Sequence, residues 1–593
     1  MTERSGPLPS PWLLLPLVLL TACAREAPRP DMVLITIDTL RPDALGWIGQ
    51  RNDTPTLDRL AREGLAFRNG VTSVPITLPA HAAMMTGCYP SRLGLRDNGQ
   101  TLAAGAPTLA ARLAEQGYRT AAFVSGFPLK RTFGIDQGFG HYDDTMPDGQ
   151  QGYVERSAEA TTRAALDWLA TQDADTPLFV WIHFYDPHDP YQPPREFWQP
   201  GPRGAYDGEV VYTDHWIGKL LEGWPARGDR ERLTVYTSDH GEGLGEHGED
   251  THGYFVYDST VLSPVVWHWP GRIRPREDEA QIRHVDIAPT LLALAGAQAP
   301  PPECEGVELA EVMAGGETAS RTAFVETWLP WNYFGWSPLH AVRDPDWKYI
   351  HAPKPELYDL DADPGELDNR IAIRPEIADR HLATLDGIRS APTLQVSGVA
   401  EAEVLEELRG LGYIGIGQGS DEVPADAADP KDRIQMRRLL MAADAQLAQG
   451  DVERGLRTLD NALVQEPGSR FAALRAGSHL LKLGQVERAL PYLQRAIVND
   501  PERAEARFAL GDALTRVGRD AEALEHWLEL ARLQPLRFEA WFNIALGHLA
   551  LGNLESARQA RDRAAALPEP QPGALAELDG LIERAASAGG QAP

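Results

Sequence analysis

Met32-Val33-Leu34-Ile35-Thr36-Ile37 is an uninterrupted run of apolar and β-branched residues, and it ends at Asp38. A run without polar alternation is typical of a strand buried on both faces, as in a parallel sheet covered by helices. Open α/β folds bind ligands at the carboxyl ends of such strands. The stretch therefore predicts an α/β fold with Asp38 at its functional edge.

Further strands and helices alternate along the chain after this run. The predicted strands cover residues 120–124, 178–184, 233–237 and 264–267, and the predicted helices cover 56–64, 108–116, 154–171, 212–221 and 287–294. This alternation indicates a mostly parallel sheet sandwiched by helices. Two short strands, near residues 341–342 and 348–350, predict a small C-terminal antiparallel subdomain.

The composition limits the classes of function. The chain has 593 residues, a net charge of −29 and three cysteines. Its length predicts more than one domain. The acidic balance argues against nucleic acid as a partner, because phosphate backbones bind basic surfaces. Three cysteines without a C-x-x-C pair predict neither a disulfide framework nor a zinc site. We expect Cys88, after a helix, to be a small buried residue.

The N-terminus has the pattern of an export signal. Pro11 to Leu20 (PWLLLPLVLL) is an apolar segment too short to span a bilayer. Leu20-Thr21-Ala22-Cys23 resembles the lipobox of bacterial lipoproteins. That resemblance implies removal of residues 1–22, lipidation of Cys23 and a tether over residues 24–31. A plain secretory signal, in which Cys23 has no role, is the alternative. We expect an exported bacterial lipoprotein, anchored to the membrane on its extracytoplasmic side, in the periplasm or at the cell surface.

The C-terminal region carries an internal repeat. Glycines recur in steps of 34 residues, and prolines recur at the same interval: Gly450, Gly484, Gly518 and Gly552, with Pro467, Pro501 and Pro535. This period resembles tetratricopeptide repeats (TPR) and implies an all-α solenoid over residues 434–568, whose groove would bind a protein or peptide partner. A Gly/Asp/Ala-rich linker is predicted over 413–433, and a C-terminal helix or tail over 569–593.

A threonine before a helical run is the first candidate for chemistry. In Pro75-Ile76-Thr77-Leu78-Pro79-Ala80-His81 the hydroxyl of Thr77 precedes a helix start, where free amides and the helix dipole favour an anion. A simple helix cap is the alternative. Asp and His also follow two other predicted strands, in His183 to Tyr191 and in Ser238 to Glu242 with Thr251-His252. With Asp38, Asp or His is then found at the ends of three separate strands. One shared site explains this better than loop capping does.

These segments together resemble the sulfatase family of the alkaline phosphatase superfamily. The matching motifs are Asp38 to Asp43 (DTLRPD), Leu78 to His81 (LPAH) with Thr86 to Pro90 (TGCYP), Asp186 to Tyr191 (DPHDPY), Ser238 to Glu242 (SDHGE) and Val285 to Leu292 (VDIAPTLL). The resemblance implies a catalytic domain over residues 32–412.

The resemblance also implies roles for single residues. Asp38, Asp239 and His240 match metal-ligand positions. Thr77 matches the nucleophile, whose oxygen also contacts the metal. His188 and His252 match positions that contact the substrate oxyanion or protonate the leaving group. Lys130 is a further candidate anion contact, and His81 stands where the family has an arginine.

The nucleophile position differs from that of typical sulfatases. They carry Cys or Ser there and convert it to formylglycine, but Thr77 has a methyl on its β-carbon, so no formylglycine is expected. Asp38, Thr77, Asp239 and His240 include one imidazole, which favours Mn or Zn over Ca. We expect one divalent metal ion. The alternative is a second ion held by His183, Asp186, His188 and His252.

These observations predict a metal-dependent hydrolase of extracytoplasmic sulfate or phosphate esters with a threonine nucleophile. Because a threonine ester must be broken by a second attack, phosphoryl chemistry is favoured. Two alternatives stay open. One is a transferase that passes a phosphorylated head group to a cell-envelope acceptor. The other is an inactive sulfatase fold that serves as a scaffold for partners of the repeats.

Overall fold

The structure is a computed structural model, which describes residues 29–147, 156–394, 397–400, 423–567 and 570–589, together with residues 2, 404 and 408. The lipobox and Cys23 lie outside the described residues. In the part of the chain that is described, no helix is both long and apolar enough to cross a membrane.

Strands and helices alternate through the first part of the chain. The strands are β1 (Asp31–Ile37), β2 (Leu65–Val71), β3 (Gln100–Thr101), β4 (Arg119–Phe123), β5 (His141–Asp143), β6 (Leu178–Phe184), β7 (Arg232–Ser238), β8 (Leu262–His268), β9 (Arg276–Asp278), β10 (Ile282–Arg283), β11 (Ala323–Thr327), β12 (Leu339–Arg343), β13 (Trp347–His351), β14 (Glu356–Asp359) and β15 (Gly398–Val399). The helices before the repeats are α1 (Gly46–Gly49), α2 (Pro55–Glu63), α3 (Thr77–Thr86), α4 (Pro90–Leu93), α5 (Leu109–Glu115), α6 (Ala158–Leu169), α7 (Gly204–Gly223), α8 (Asp258–Val261), α9 (Ile287–Leu294), α10 (Ala310–Met313), α11 (Leu329–Phe334) and α12 (Pro375–Arg389).

Strand β1 lies at the centre of the main sheet. The strand order is β10-β2-β8-β7-β1-β6-β4-β5, and β9 pairs with β2. β1 is parallel to both β6 and β7, whereas β8 is antiparallel to β7 and β2. The predicted fold, a mostly parallel sheet with a small antiparallel subdomain and a helical solenoid, is confirmed.

Alternate residues of β1 enter two different cores. Met32 and Leu34 pack with α3, α5 and α9, whereas Val33, Ile35 and Ile37 pack with α2, α6 and α7. All seven residues of the strand are buried. Helices on both faces leave no solvent-facing side, which is why the sequence of β1 lacks polar alternation.

Several predicted boundaries change in the structure. β6 and α9 have the predicted ends, but α7 begins at Gly204, about two turns before the predicted start at residue 212. α6 begins only at Ala158, because Ser157 is extended and its side chain accepts the amide of Ala160 as the N-cap. β2 was not predicted, since Arg68 and Asn69 interrupt its apolar run.

The repeat region consists of helices that pair with their neighbours. They are α13 (Ile434–Ala448), α14 (Val452–Gln465), α15 (Arg470–Lys482), α16 (Val486–Asn499), α17 (Ala504–Arg516), α18 (Asp520–Leu533), α19 (Phe538–Ala550), α20 (Leu554–Ala565) and α21 (Pro572–Gly589). The turns contain Gly450, Gly484, Gly518 and Gly552, all with φ between 72° and 81°. Only glycine adopts this left-handed conformation without strain, so the 34-residue glycine period marks the turns.

The end of the predicted linker packs against the catalytic domain. The side chain of Asp429 is buried and accepts the amides of Lys354 and Lys431, at 2.9 Å each. The carbonyl of Ala428 accepts the amide of Ser337 at 2.8 Å. The first repeat is therefore held at a fixed place on the antiparallel subdomain, of which Lys354 and Ser337 are part.

The expectation for Cys88 was incomplete. The residue is buried, but it forms a disulfide with Cys304, 216 residues away in the sequence. The bridge fixes the chain just beyond the C-terminal end of α3, where the carbonyl of Gly87 also accepts the amide of Gly306 at 2.8 Å. Sequence spacing gives no signal for so distant a pair.

Candidate active site

Thr77 is the first residue of α3 and is fully buried. Ile76 before it is extended, which sets the helix start. The side chain of Asn98, not that of Thr77, accepts the next amide, that of Leu78, at 2.9 Å. Among the described residues, no hydrogen-bond partner reaches Thr77 Oγ. The simple helix-cap alternative does not describe this hydroxyl, and a buried polar atom without a partner needs an explanation.

Asp38, Asp239 and His240 meet at the carboxyl edge of the sheet. Ile37 at the end of β1 pairs with Ser238 at the end of β7, so the residues that follow them are adjacent. One ligand atom from each of the three side chains lies within 4.8 Å of the others. His240 Nε2 is 3.3 Å from Asp239 Oδ2 and 3.8 Å from Asp38 Oδ1.

The same three residues have the donor set of a divalent-cation site. Both carboxylate oxygens of Asp38, Asp239 Oδ2 and His240 Nε2 are buried without a hydrogen-bond partner among the described residues. His240 Nδ1 donates to the carbonyl of Gly241 at 3.0 Å, which leaves the Nε2 lone pair available as a ligand. Burial raises the pKa of Asp38 to about 7; for Asp239, burial and then repulsion by Asp38 raise the pKa to about 8. A bound cation would offset both effects.

Backbone amides hold the other oxygen of Asp239. Its Oδ1 accepts the amide of Thr39 at 3.2 Å and that of His240 at 2.8 Å. The hydroxyl of Thr39 donates to the carbonyl of Pro187 instead of facing the acids. Thr39 therefore orients Asp239 through its backbone.

His81 uses both ring nitrogens within the protein. Nδ1 donates to the carbonyl of Thr77 at 2.8 Å, and Nε2 accepts from Thr36 Oγ at 3.0 Å. Burial lowers the pKa of His81 to about 3, so the ring is neutral. Nδ1 also lies 3.7 Å from Asp239 Oδ2. His81 thus links the helix of Thr77 to a candidate ligand, and neither nitrogen is left for proton transfer.

Two further histidines lie beside this cluster. The ring centroid of His252 is 4.4 Å from that of His240 and 5.2 Å from that of His188. His252 Nδ1 donates to Glu242 Oε1 at 3.1 Å, and the Tyr191 hydroxyl donates to Glu242 Oε2 at 2.8 Å. Burial lowers the pKa of His252 well below its usual value and that of His188 to about 3. The Glu242 contact leaves Nε2 of His252 as the nitrogen available for proton exchange.

Comparison with known proteins identifies the domains of the chain. The sequence model of the family described as Sulfatase matches residues 30–297, and that of the N-sulphoglucosamine sulphohydrolase C-terminal region matches residues 245–381. The chain carries a sulfatase-family domain. Tetratricopeptide-repeat models match residues 474–532 and 516–574, which confirms the repeats.

Relatives of the sulfatase domain extend over most of its length. The choline-sulfatase of Rhizobium meliloti is 28% identical over 58% of this chain and 82% of its own. Human arylsulfatase A is 28% identical over 59% of this chain and 85% of its own. The phosphonate monoester hydrolase of Agrobacterium radiobacter has the same fold, with a TM-score of 0.53, 22% identity and coverage of 61% of this chain and 96% of that one.

Not every candidate residue has a described contact with the site. The ammonium of Lys130 lies 5.0 Å from the ring centroid of Phe127. Within the described ranges, no hydrogen bond or ion pair joins Lys130 to Thr77 or Asp38. Asp186 Oδ2 accepts the amide of Ala158 at 2.8 Å and so caps α6. Asp186, one of the four residues of the alternative second-ion set, therefore has a structural role.

One residue of the sulfatase domain acquires a role that the sequence did not assign, and His183 lies beside the first predicted ion rather than with a separate second set. Glu242 was quoted in a motif but had no role, and it orients His252. His183 lies with Nε2 3.4 Å from Asp38 Oδ2, on the first-ion side of the site. Both follow or end a buried strand, which is a usable signal. The contact of Glu242 with His252 depends on a loop path that no periodicity encodes, whereas His183 reaches Asp38 because β6 pairs with β1.

Proposed function

We propose that this protein hydrolyses extracytoplasmic sulfate or phosphate esters with Thr77 as the nucleophile. The observation that carries the proposal is the buried Thr77 hydroxyl without a partner, beside carboxylates that also lack partners. Asp38, Asp239 and His240 would hold one divalent ion. Such an ion acidifies a nearby hydroxyl and offsets negative charge on an ester.

The methyl group of Thr77 favours phosphate over sulfate esters. Threonine cannot form the hydrated aldehyde that releases sulfate by collapse, so its ester must be broken by a second attack. Phosphorus accepts such an attack more readily than sulfur. The fold is compatible with this chemistry, since the fold neighbour from Agrobacterium radiobacter is a phosphonate monoester hydrolase.

His252 and Glu242 supply the proton transfer in this proposal. Glu242 accepts from Nδ1, and Nε2 exchanges the proton. The negative charge of a bound ester raises the pKa of His252, which otherwise is low because of burial. The imidazolium then gives its proton to the departing alkoxide. In the second step the neutral ring can take a proton from the attacking water.

Two features support an extracytoplasmic location. The Leu20 to Cys23 segment resembles a lipobox, and Cys88 is joined to Cys304. Disulfides persist in oxidising compartments and are rare in the cytosol. We therefore propose membrane anchoring through Cys23 and a protein partner for the repeats.

A substrate panel tests the function. Residues 24–593 would be assayed with aryl phosphates, phosphodiesters and sulfates, each with Mn, Zn or Ca and with a chelator. We expect turnover of a phosphorus ester that needs the ion and is lost in Thr77→Ala. Added alcohols that divert the product would favour a transferase. Absence of turnover under all conditions would contradict the proposal.

A further inference from the structure

The loop that carries His252 is shaped by a buried acid. The carboxylate of Glu249 accepts the amide of Tyr254 at 2.8 Å and that of Phe255 at 3.3 Å. Glu249 is 1% exposed. Burial raises its pKa to about 8, and the charge of Arg437 opposes that rise. The charge of Arg437, which lies outside the sulfatase domain, therefore acts on the acid that holds the loop.

That cation belongs to α13, the first helix of the repeat region. Arg437 is 5% exposed, and its Nη2 donates to Thr251 Oγ at 3.2 Å. Its guanidinium carbon lies 4.1 Å from the ring centroid of Tyr254. Thr251 and Tyr254 flank His252 in the sequence, so one side chain contacts the loop on both sides of the histidine.

A second contact brings α13 against the same region. A Cβ on Gly248 would lie 2.9 Å from the side chain of Ile434, so the helix passes close to the start of the loop. Gly248 has a φ of 81°. The approach leaves no room for a side chain at this position.

We propose that Arg437 is a positioning residue, which holds the His252 loop from the repeat region so that the imidazole is aligned with the leaving group. The proposal rests on the proposed function, in which His252 protonates that group. Glu242 holds the ring of His252, and Arg437 holds the side chains of Thr251 and Tyr254 on either side of it. The first repeat is then part of the catalytic unit rather than only a partner-binding appendage.

Leaving-group dependence separates positioning from general damage. A nitrophenolate departs without a proton, whereas an alkoxide needs one. We expect Arg437→Met, which keeps the apolar stem, to lower kcat/KM for an alkyl ester by about 10–100-fold. The loss for a nitrophenyl ester should be under about 3-fold, because proton donation matters little there. Arg437→Lys should restore part of the alkyl-ester activity.

Arg470→Met is the matched control for this variant. Arg470 also comes from a repeat helix and lies over an aromatic ring of the sulfatase domain, with 4.6 Å between its guanidinium carbon and the Trp331 centroid. It makes no described contact with Thr251 or Tyr254. We expect it to change both esters equally and by less than about 2-fold. Equal losses on both esters for Arg437→Met would overturn the proposal.

Two further measurements address the mechanism and the fold. In a His252→Ala background, Arg437→Met should cause no additional loss, because residues acting through one group are not additive. Multiplied losses would contradict the proposal. Hydrogen exchange needs no substrate: the amides of Tyr254 and Phe255 should exchange faster in Arg437→Met than in Arg470→Met. Unchanged exchange would overturn the positioning role, whether or not the wild type has esterase activity. A wild type without esterase activity would count against the proposed function alone.

Discussion

Two groups of buried charges in this protein have opposite surroundings. Where α8 meets the antiparallel subdomain, the carboxylate of Asp258 lies 2.9 Å from both Arg343 and Lys348, and these cations lower its pKa. At the sheet edge, Asp38 and Asp239 are fully buried, and their pKa values are raised. Breaking a buried ion pair destabilises a fold because it leaves a charge without its partner, whereas buried acids without cations are suited to a site where a ligand supplies the charge.

The largest expected effect concerns the hydroxyl beside the unpaired acids. Thr77→Ala should lower kcat by roughly 10³-fold or more, because it removes the attacking atom. Thr77→Ser should keep measurable turnover. Thermal unfolding of both variants should match the wild type, because the wild-type hydroxyl makes no hydrogen bond in the described structure. A turnover by Thr77→Ala that equals that of the wild type would contradict the role of this residue.

Removing one acid from each group compares their effects on stability. Asp258→Asn should lower the free energy of unfolding by about 3–5 kcal/mol, because it removes the carboxylate that faces buried Arg343 and leaves Lys348 with Glu366 alone. Asp38→Asn, in the metal-free protein at pH 8, should leave stability unchanged or raise it, because it relieves repulsion with Asp239. Denaturant titration of both variants measures the difference. A large loss in metal-free Asp38→Asn would mean that this acid is already paired.

A bound cation should give the sheet-edge acids the positive partner that Asp258 already has. An ion at about 100 times its dissociation constant stabilises the native state by about 2.7 kcal/mol. We therefore expect Mn or Zn to raise the Tm of the wild type, with a smaller rise for Ca. Asp239→Asn should lose most of the rise. The ion should leave the ion pair between Asp258 and Lys348 unaffected. An equal rise in wild type and Asp239→Asn would place the ion elsewhere.

The last expected effect is a pH dependence of the metal-free protein. The pKa values of Asp38 and Asp239 rise from 3.8 to about 7 and about 8, so the native state binds more protons than the unfolded state between these limits. Their contribution to stability is therefore present at low pH and is lost as the pH rises from about 4 to about 8. Asp239→Asn should flatten the fall in Tm between pH 5 and 8. An unchanged slope would show that these acids do not titrate as described.

The sequence predicted the positions of the charges better than their partners. The apolar runs before Asp38 and Asp239 fixed both residues at one sheet edge, since parallel strands end together. The contacts of His81 could not be foreseen, because they depend on a helix turn and on Thr36 of another element. Arg437 lies 186 residues from Thr251, and its contact depends on how the repeats dock.

The most direct measurement is a search for a covalent intermediate on Thr77. Wild-type protein with its ion would be mixed with an aryl phosphate, quenched in acid and digested, and the peptide containing Thr77 would be analysed by mass spectrometry. The account predicts a phosphoryl group on Thr77 that is absent from Thr77→Ala. Turnover of the ester with the modification on another residue would contradict it. So would an unmodified Thr77 at every time of quenching together with full activity in Thr77→Ala.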